Sequence, residues 1–223
     1  MGTLWRSGAS GPPAVPDACG GGHHVLRTGR LLLRTPRDVL DMNIGLAVSS
    51  DAEAQRWLGW RAEFVHDGPV AEALLGIAED RRDEVLRALG FRMRRELRRP
   101  FVPAGELPRL PLIAFQVDSG RVAGMSSVEL DTRTIGLQIA PTYRGHGLGS
   151  ELARATALFA HTHLGVDIVR AGTETSNSRC RRALGAAGFL PCDGPARHTL
   201  PDRRVIEAVW YQHGASDAST CGG

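Results

Sequence analysis

The strongest pattern along the chain is a short apolar strand that leads, through a glycine-rich turn, into an amphipathic helix. Residues 134–139 are mostly apolar or β-branched, and Pro141 ends this run because proline has no N–H to donate to a neighbouring strand. Apolar residues then recur at helical spacing on one face: Leu148, Leu152, Ala155 and Phe159. The sequence therefore predicts a strand over residues 134–139 and a helix over residues 148–164.

Upstream of this unit, the pattern predicts one short strand followed by helices. Residues 31–33 are consecutive leucines and are predicted as the strand, and a helix begins near Asp38. Ser50 and Glu53 have the spacing of a capping box, in which each residue satisfies a backbone N–H at the start of a helix. A second helix is therefore predicted from this point.

The central part of the chain combines helical segments with a predicted hairpin. Residues 70–99 have the pattern of helices, with interruptions near Gly76 and Gly90. Residues 112–117 and 122–130 are apolar runs separated by an Asp-Ser-Gly turn, which predicts two antiparallel strands. This hairpin leads directly into the strand at 134–139.

After the long helix, the chain returns to alternating strands and helices. A strand is predicted over residues 166–172, a helix over 177–187 ending at Gly188, and two final strands near Phe189 and over 204–211. Strands flanked by helices in this mixed order predict an α/β fold.

Length and composition predict one folded domain with two tails. The chain has 223 residues, of which 42% are hydrophobic, enough to bury a core. We expect a single domain over residues 25–213, with an enlarged helical segment at about 61–109. Residues 1–24 and 214–223 lack periodicity and are predicted to be disordered tails, with His23 and His24 solvated and without function. No run of 18 apolar residues occurs, so no membrane span is expected.

Cysteine usage predicts free thiols in a reducing cytoplasm. The chain has four cysteines, and they are scattered without the spacing of metal ligands: Cys19, Cys180, Cys192 and Cys221. His161 and His163 lie two residues apart on a helix and cannot share a face, which disfavours a metal pair. No secretory signal pattern precedes the folded region. We therefore expect neither a disulfide framework nor a metal site.

The turn between the strand and the long helix has the features of a phosphate-binding site. Gly145, Gly147 and Gly149 allow a tight turn, and the amides at the helix start can point at an anion. Arg144 adds a positive charge. A P-loop is excluded because the chain contains no lysine, and the glycine spacing differs from the dinucleotide fingerprint.

Three segments together resemble the GNAT superfamily of acyl-CoA-dependent N-acyltransferases. The first is the turn itself, in which Arg144, Gly147 and Gly149 match the family's acyl-CoA motif after a strand ending in hydrophobic-x-Pro. The second runs from Asn177 to Gly188-Phe189 and is similar to the family's asparagine-containing helix. The third, Arg-Leu-Leu-Leu-Arg at 30–34, resembles the first strand of the branch that includes ribosomal-protein N-terminal acetyltransferases.

This resemblance implies a mixed, splayed central sheet of about seven strands and a bound acyl-CoA, acetyl-CoA by default, as co-substrate. The pantetheine arm is expected between strands 134–140 and 166–172, and the pyrophosphate at the turn 144–149. A backbone amide near Ile139 or Ala140 is expected to stabilise the oxyanion. The residues expected to bind the coenzyme are Ile139, Ala140, Arg144, Gly145, His146, Gly147, Leu148, Gly149 and Asn177.

The catalytic groups are less clearly marked, because this chain departs from the family pattern. Where many members have a tyrosine acid, this chain has Leu184. Cys180 stands where the family usually has serine and is a candidate acid, and a buried packing cysteine is the favoured alternative. In relatives, the loop that corresponds to residues 195–203 borders the acceptor site, so His198 is a candidate base because imidazole exchanges protons near neutral pH. A surface histidine without a role is the alternative interpretation. The competing bases are acidic: Glu129, Asp131 and Glu174.

The acceptor is predicted only as a class. A primary amine of a small molecule or a protein N-terminus fits the resemblance. Trp57 and Trp60 are expected either to shape the acceptor pocket or to pack in the core. A non-catalytic acyl-CoA sensor is the alternative function, and the oligomeric state is left open between a monomer and a homodimer. Arginines cluster at residues 92–99, but Met93, Leu97 and Phe101 interleave with them, so a solvated helix face is favoured over a nucleic-acid site.

Overall fold

A mixed sheet forms the centre of the molecule. The computed structural model describes residues 23–101 and 109–215. Within these residues the strands are β1 (Val25–Arg27), β2 (Leu31–Arg34), β3 (Arg109–Gln116), β4 (Val122–Glu129), β5 (Thr134–Ile139), β6 (Ile168–Glu174), β7 (Leu190–Cys192), β8 (Arg197–Thr199) and β9 (Val205–Gly214). Their spatial order is β1-β2-β3-β4-β5-β6-β9-β7, and β8 also pairs with β9.

Helices pack on both faces of the sheet. They are α1 (Val39–Ala47), α2 (Ala52–Leu58), α3 (Gly68–Leu75), α4 (Arg82–Ala88), α5 (Phe91–Leu97), α6 (Leu148–Leu164) and α7 (Ser178–Ala186). The predicted α/β class is confirmed. The described sheet has nine strands rather than about seven, because β1 and β8 are three-residue strands that are too short to show an alternating pattern, whereas β7 corresponds to the strand predicted near Phe189.

The two faces of the sheet bury separate clusters, as strand alternation requires. On one face, Leu31, Leu33 and Leu112 pack with the apolar stripe of α6, of which Leu152 and Phe159 are completely buried. Burying a side chain such as Leu152 stabilises the fold by about 1.5–3 kcal/mol. Truncating it to alanine is expected to cost about 2–5 kcal/mol, because a cavity is left behind.

The other face packs against the helices that precede β3. Ile113 and Phe115, which alternate with the residues of the first cluster along β3, contact Leu40 and Ile44 of α1. Leu86 of α4 is completely buried in the same cluster. This second layer holds the helical segment against the sheet, on the side where the end of β5 emerges.

Two details of the helical segment differ from the sequence prediction. The α2 N-cap is Asp51, whose carboxylate accepts hydrogen bonds from the amides of Glu53 and Ala54, so the capping box starting at Ser50 was wrong by one residue. The Ser50 hydroxyl instead accepts a hydrogen bond from the His66 amide. Trp57 lies in α2, whereas Trp60 follows the helix, after Gly59.

The ends of the described chain also correct the sequence prediction. His24 is only 4% exposed, and its ring packs edge-on against Phe159 at 5.1 Å between centroids, so the prediction of a solvated histidine was wrong. Gly214, expected in the C-terminal tail, ends β9. His23 is exposed, as predicted, and Ala215 follows β9. Residues 1–22 and 216–223, with Cys19 and Cys221, lie outside the described residues.

The arginine-rich helix α5 is more exposed than its spacing predicted. Phe91 and Met93 are 73% and 55% exposed, so Met93 does not face the core. Leu97 alone of these apolar residues of α5 packs against the second cluster. Among the described helices, none is long and apolar enough to cross a membrane.

Candidate active site

The turn between β5 and α6 has the backbone conformation that its glycines predicted. Gly145 and Gly147 have φ angles of +84° and +75°, in the left-handed region where a side chain is strained. Gly147 is the α6 N-cap residue, and no side chain caps this helix. The amides at the start of α6 therefore remain available to an anion, which the helix dipole also favours.

The Arg144 side chain is directed away from the glycines and towards α2. Its Nε donates to the Ile139 carbonyl at 2.9 Å, and its terminal nitrogens bind Asp51 at 2.5 and 2.8 Å and Glu53 at 3.1 Å. The hydrogen bond and charge of Asp51 raise the pKa of Arg144, although burial opposes this. Glu53 also binds Arg179 of α7 at 2.5 Å, so α2 connects the turn after β5 to α7.

A second arginine, which the sequence analysis did not select, lies directly over the turn. Arg30 donates to the His146 carbonyl at 2.8 Å and to the Glu151 carboxylate at 2.7 Å. A β-carbon added to Gly147 would lie 3.6 Å from a terminal nitrogen of Arg30. The only sequence signal was its position in the Arg-Leu-Leu-Leu-Arg segment, which does not indicate that it reaches a turn more than 110 residues away.

Between β5 and β6 the sheet opens. These strands are parallel and share a single residue pair, Thr134 with Arg170, whereas β5 is paired with β4 along its full length. The Ala140 amide donates to the Ala123 carbonyl at 2.9 Å, on the β4 side. Since alternate residues of a strand direct their N–H groups to opposite edges, the Leu137 and Ile139 amides face the opening.

The two predicted oxyanion donors face opposite edges of β5. The Ala140 N–H already donates to the Ala123 carbonyl of β4. The Ile139 N–H faces the opening, while the Ile139 carbonyl accepts from Arg144. Arg144 therefore helps to fix the end of β5 in place.

Asn177 and Cys180 lie together at the start of α7. Asn177 caps the helix, with its side-chain oxygen accepting from the Cys180 amide at 3.0 Å, which leaves its NH₂ group as a donor. Cys180 is half-buried and packs against the first core cluster. Burial raises the pKa of the Cys180 thiol, with a hydrogen bond involving Thr173 acting in the opposite direction. The thiol is therefore protonated at neutral pH.

The structure places His198 apart from these residues. The predicted loop over 195–203 contains β8, and His198 lies on it with an exposed side chain, edge-on to Trp210 at 6.3 Å between centroids. In the sheet, β6 and β9 separate β8 from β5. Of the competing bases, Glu129 forms an ion pair with Arg109, and the Glu174 carboxylate accepts a hydrogen bond from Ser176.

A cavity of about 160 Å³ lies beside the end of β5. Its walls come from α1, the segment that follows α2, β3, β4, β5 and the turn after β8, which contributes Pro201. Trp60 lines the cavity, whereas Trp57 and His198 are not among its described lining residues. Gln138, which the sequence analysis did not select, lines it one residue before Ile139.

Comparison with known protein structures agrees with this architecture. A GNAT-family acetyltransferase from Bacillus anthracis superposes with a TM-score of 0.57 at 15% identity, covering 86% of this chain and 98% of that one. The ribosomal-protein-S5-alanine acetyltransferase from Vibrio fischeri gives 0.55 at 11% identity, covering 87% and 98%. The aminoglycoside acetyltransferase AAC(6')-Ib, in complex with coenzyme A, gives 0.55 at 19% identity, covering 86% and 99%. These likenesses show the shared fold.

Sequence comparison identifies the family. No curated protein sequence matches this chain. The family described as acetyltransferase (GNAT) domain matches residues 30–190, a span that begins at Arg30 and includes the opening, the glycine turn and α7. With the uncapped α6 and the divergence of β5 from β6, this match establishes that the chain belongs to the GNAT acetyltransferase family.

Proposed function

We propose that this protein transfers an acyl group, acetyl by default, from acyl-CoA to a primary amine of a small molecule or a protein N-terminus. The observation that supports this best is the coincidence of two features at one place. An uncapped helix start with two left-handed glycines lies at the end of β5, where that strand diverges from β6. Unsatisfied backbone amides at the start of α6 suit a phosphate group, and the unpaired edge of β5 suits an amide-containing arm.

The residues present fit the coenzyme in the following way. The amides at the start of α6, from Gly145 to Gly149, bind the pyrophosphate, and Arg30 and Arg144 add positive charge beside them. The backbone edge of Leu137 and Ile139 and the Asn177 NH₂ group hold the pantetheine arm. The thioester of the coenzyme supplies an activated acyl group.

Transfer then occurs by direct attack within a ternary complex. The amine nitrogen forms a bond to the thioester carbonyl carbon, the carbon–sulfur bond breaks, and the sulfur leaves with the bonding electrons. The Ile139 amide stabilises the negative charge on the carbonyl oxygen. Holding both reactants in place supplies most of the rate enhancement. One proton leaves the amine and one is taken up by the thiolate, giving an amide and free coenzyme A.

The two proton transfers are assigned as proposals. Cys180, whose thiol is protonated at neutral pH, is the candidate donor to the departing sulfur. His198 is the candidate acceptor of the amine proton, and its exposed position on β8 requires that it act through water.

A non-catalytic acyl-CoA-binding protein is the second candidate, because the described cavity lining contains neither proposed catalytic residue. An assay of thiol release separates the two. Acetyl-CoA is mixed with a panel of primary amines, and products are checked by mass spectrometry for an added acetyl group. We expect amine-dependent release of coenzyme A. Tight binding of acetyl-CoA without release over a broad panel would favour the sensor.

A further inference from the structure

The cavity beside β5 has a size and a chemistry that specify an acceptor more closely. We propose that it binds a small primary amine carrying one apolar group of about the size of a six-membered ring, with no second positive charge. This inference rests on the proposed function, because it assigns the cavity to the acceptor of the same reaction. Gln138 is proposed to orient the amine, and Trp60 to set the size of the group that is accepted.

Size is the first argument. The cavity volume of about 160 Å³ is close to the roughly 150 Å³ of an engineered apolar cavity that admits benzene. An aminoglycoside of three linked rings would be several times larger. Such a ligand could place only one ring inside and would leave the remainder outside the described walls.

The lining is predominantly apolar. Eight of the thirteen described lining residues are apolar, and they include the aromatic side chains of Trp60, Phe64 and Phe101. Aromatic rings offer large contact areas with little loss of conformational entropy, and pairs of rings add specific edge or offset contacts. An apolar ring therefore gains free energy in this cavity by leaving water.

The charges around the cavity disfavour a polycation. The two charged side chains among the described lining residues are arginines, Arg61 and Arg109. Arg109 is paired with Glu129, whereas Arg61 has only a loose contact with Glu63 at 3.8 Å. No carboxylate is among the described lining residues, so none of them compensates a second ammonium group. Repulsion from Arg61 adds to that cost.

Gln138 supplies the polar group that a single amine requires. Its half-buried side chain lines the cavity, and no group in the described part of the chain forms a hydrogen bond with its carboxamide. A ligand in the cavity would displace water from this carboxamide, so a ligand N–H that binds its oxygen replaces a hydrogen bond that would otherwise be lost. Because Gln138 precedes Ile139 in β5, an amine held there lies next to the strand edge that faces the thioester.

The test compares two primary amines that differ in size and in charge. Steady-state thiol release is measured with acetyl-CoA and either phenethylamine or kanamycin, and the Kd of acetyl-CoA is measured in parallel by calorimetry. We expect kcat/KM to be at least about a hundredfold higher for phenethylamine, which corresponds to a little under 3 kcal/mol. A preference for kanamycin would overturn this inference alone. Release with neither amine, nor with any other, would contradict the proposed function as well.

Two substitutions test the assigned residues. Gln138→Leu keeps the approximate volume but removes the carboxamide, so KM for phenethylamine should rise about tenfold while the Kd of acetyl-CoA is unchanged. Gln212→Leu, an exposed position on β9, is the matched control and should change neither value. Trp60→Ala widens the cavity and should shift preference from phenethylamine towards two-ring tryptamine. Unchanged KM in Gln138→Leu, or unchanged selectivity in Trp60→Ala, would contradict the assignment.

Discussion

Arg144 shows how one residue can have both a motif role and a structural role. The motif predicted that the Arg144 guanidinium would bind the phosphates. In the structure it donates hydrogen bonds to Asp51, Glu53 and the Ile139 carbonyl. Those partners could not be predicted from the sequence, because Asp51 and Glu53 lie more than 90 residues earlier and meet Arg144 only once the sheet has formed. The same applies to Arg30 and Glu151.

Substitution on each side of this ion pair separates the two roles. Arg144→Ala is expected to weaken acetyl-CoA binding by about ten- to a hundredfold, because it removes a charge-assisted contact worth roughly 1.5–3 kcal/mol. Asp51→Asn keeps the α2 cap, since asparagine caps helices as well as aspartate does, and leaves Arg144 more available to a phosphate. Binding by Asp51→Asn should therefore be as tight as in the wild type or tighter. Equal weakening in both variants, measured by calorimetry, would show that Arg144 acts only by holding α2.

Cys180 is tested by comparing two substitutions. If its thiol protonates the departing sulfur, Cys180→Ala should lower kcat by about ten- to a hundredfold without changing the Kd of acetyl-CoA. Cys180→Ser, which keeps a proton donor of similar size, should recover part of the loss. Wild-type kcat in both variants, with a lowered melting temperature in Cys180→Ala, would identify the side chain as a packing residue.

At the scale of elements, long periodic segments were predicted well and short ones were not. The boundaries of β5 and α6 agree with the sequence prediction, because six and seventeen residues give a clear period bounded by Pro141 and the glycines. The strand predicted at 166–172 begins at Ile168 and ends at Glu174. Three-residue β8 carries no period and was predicted as a loop, so the strand on which His198 lies was missed.

The opening between β5 and β6 predicts an alternating pattern of amide exchange. In the free protein, the Leu137 and Ile139 amides should exchange with solvent faster than those of Gln138 and Ala140, which bond to β4. Acetyl-CoA should protect the first pair and leave the second unchanged. Hydrogen exchange followed by NMR resolves these neighbours within one strand. Equal protection of all four amides in the free protein would mean that the strands do not open there.

At the scale of the whole molecule, a buried ion cluster joins α1, β2 and α4. The Asp41 carboxylate is completely buried and accepts hydrogen bonds from Arg34 at 2.6 Å and from Arg82 at 3.2 Å. Burial alone would raise the pKa of Asp41, but Arg34 and Arg37 lower it by more, to about 2. The sequence predicted the strand and the helix but not this cluster, because Arg82 lies 41 residues from Asp41.

This depressed pKa makes stability depend on pH in a defined window. Because the pKa is about 3.8 in the unfolded chain and about 2 in the folded one, Asp41 contributes about 2 kcal/mol above pH 4. The contribution is lost as the pH falls from 4 to 2. In urea titrations, the destabilisation caused by Asp41→Asn should therefore shrink over that window. Asp83→Asn, which breaks an exposed pair with Arg98, should have little effect, and a pH-independent difference for Asp41→Asn would contradict the assignment.

The central claim is that the uncapped start of α6 binds the phosphates of an acyl-CoA, and calorimetric titration with acetyl-CoA tests it most directly. Gly147→Val is compared with Gly165→Val. Both glycines have left-handed φ angles, and they occupy the N-cap and C-cap positions at opposite ends of α6. The two variants carry similar backbone strain, of about 1–2 kcal/mol or more. We predict micromolar binding in the wild type and in Gly165→Val, and none in Gly147→Val. Binding by a folded Gly147→Val at the wild-type Kd would contradict the account.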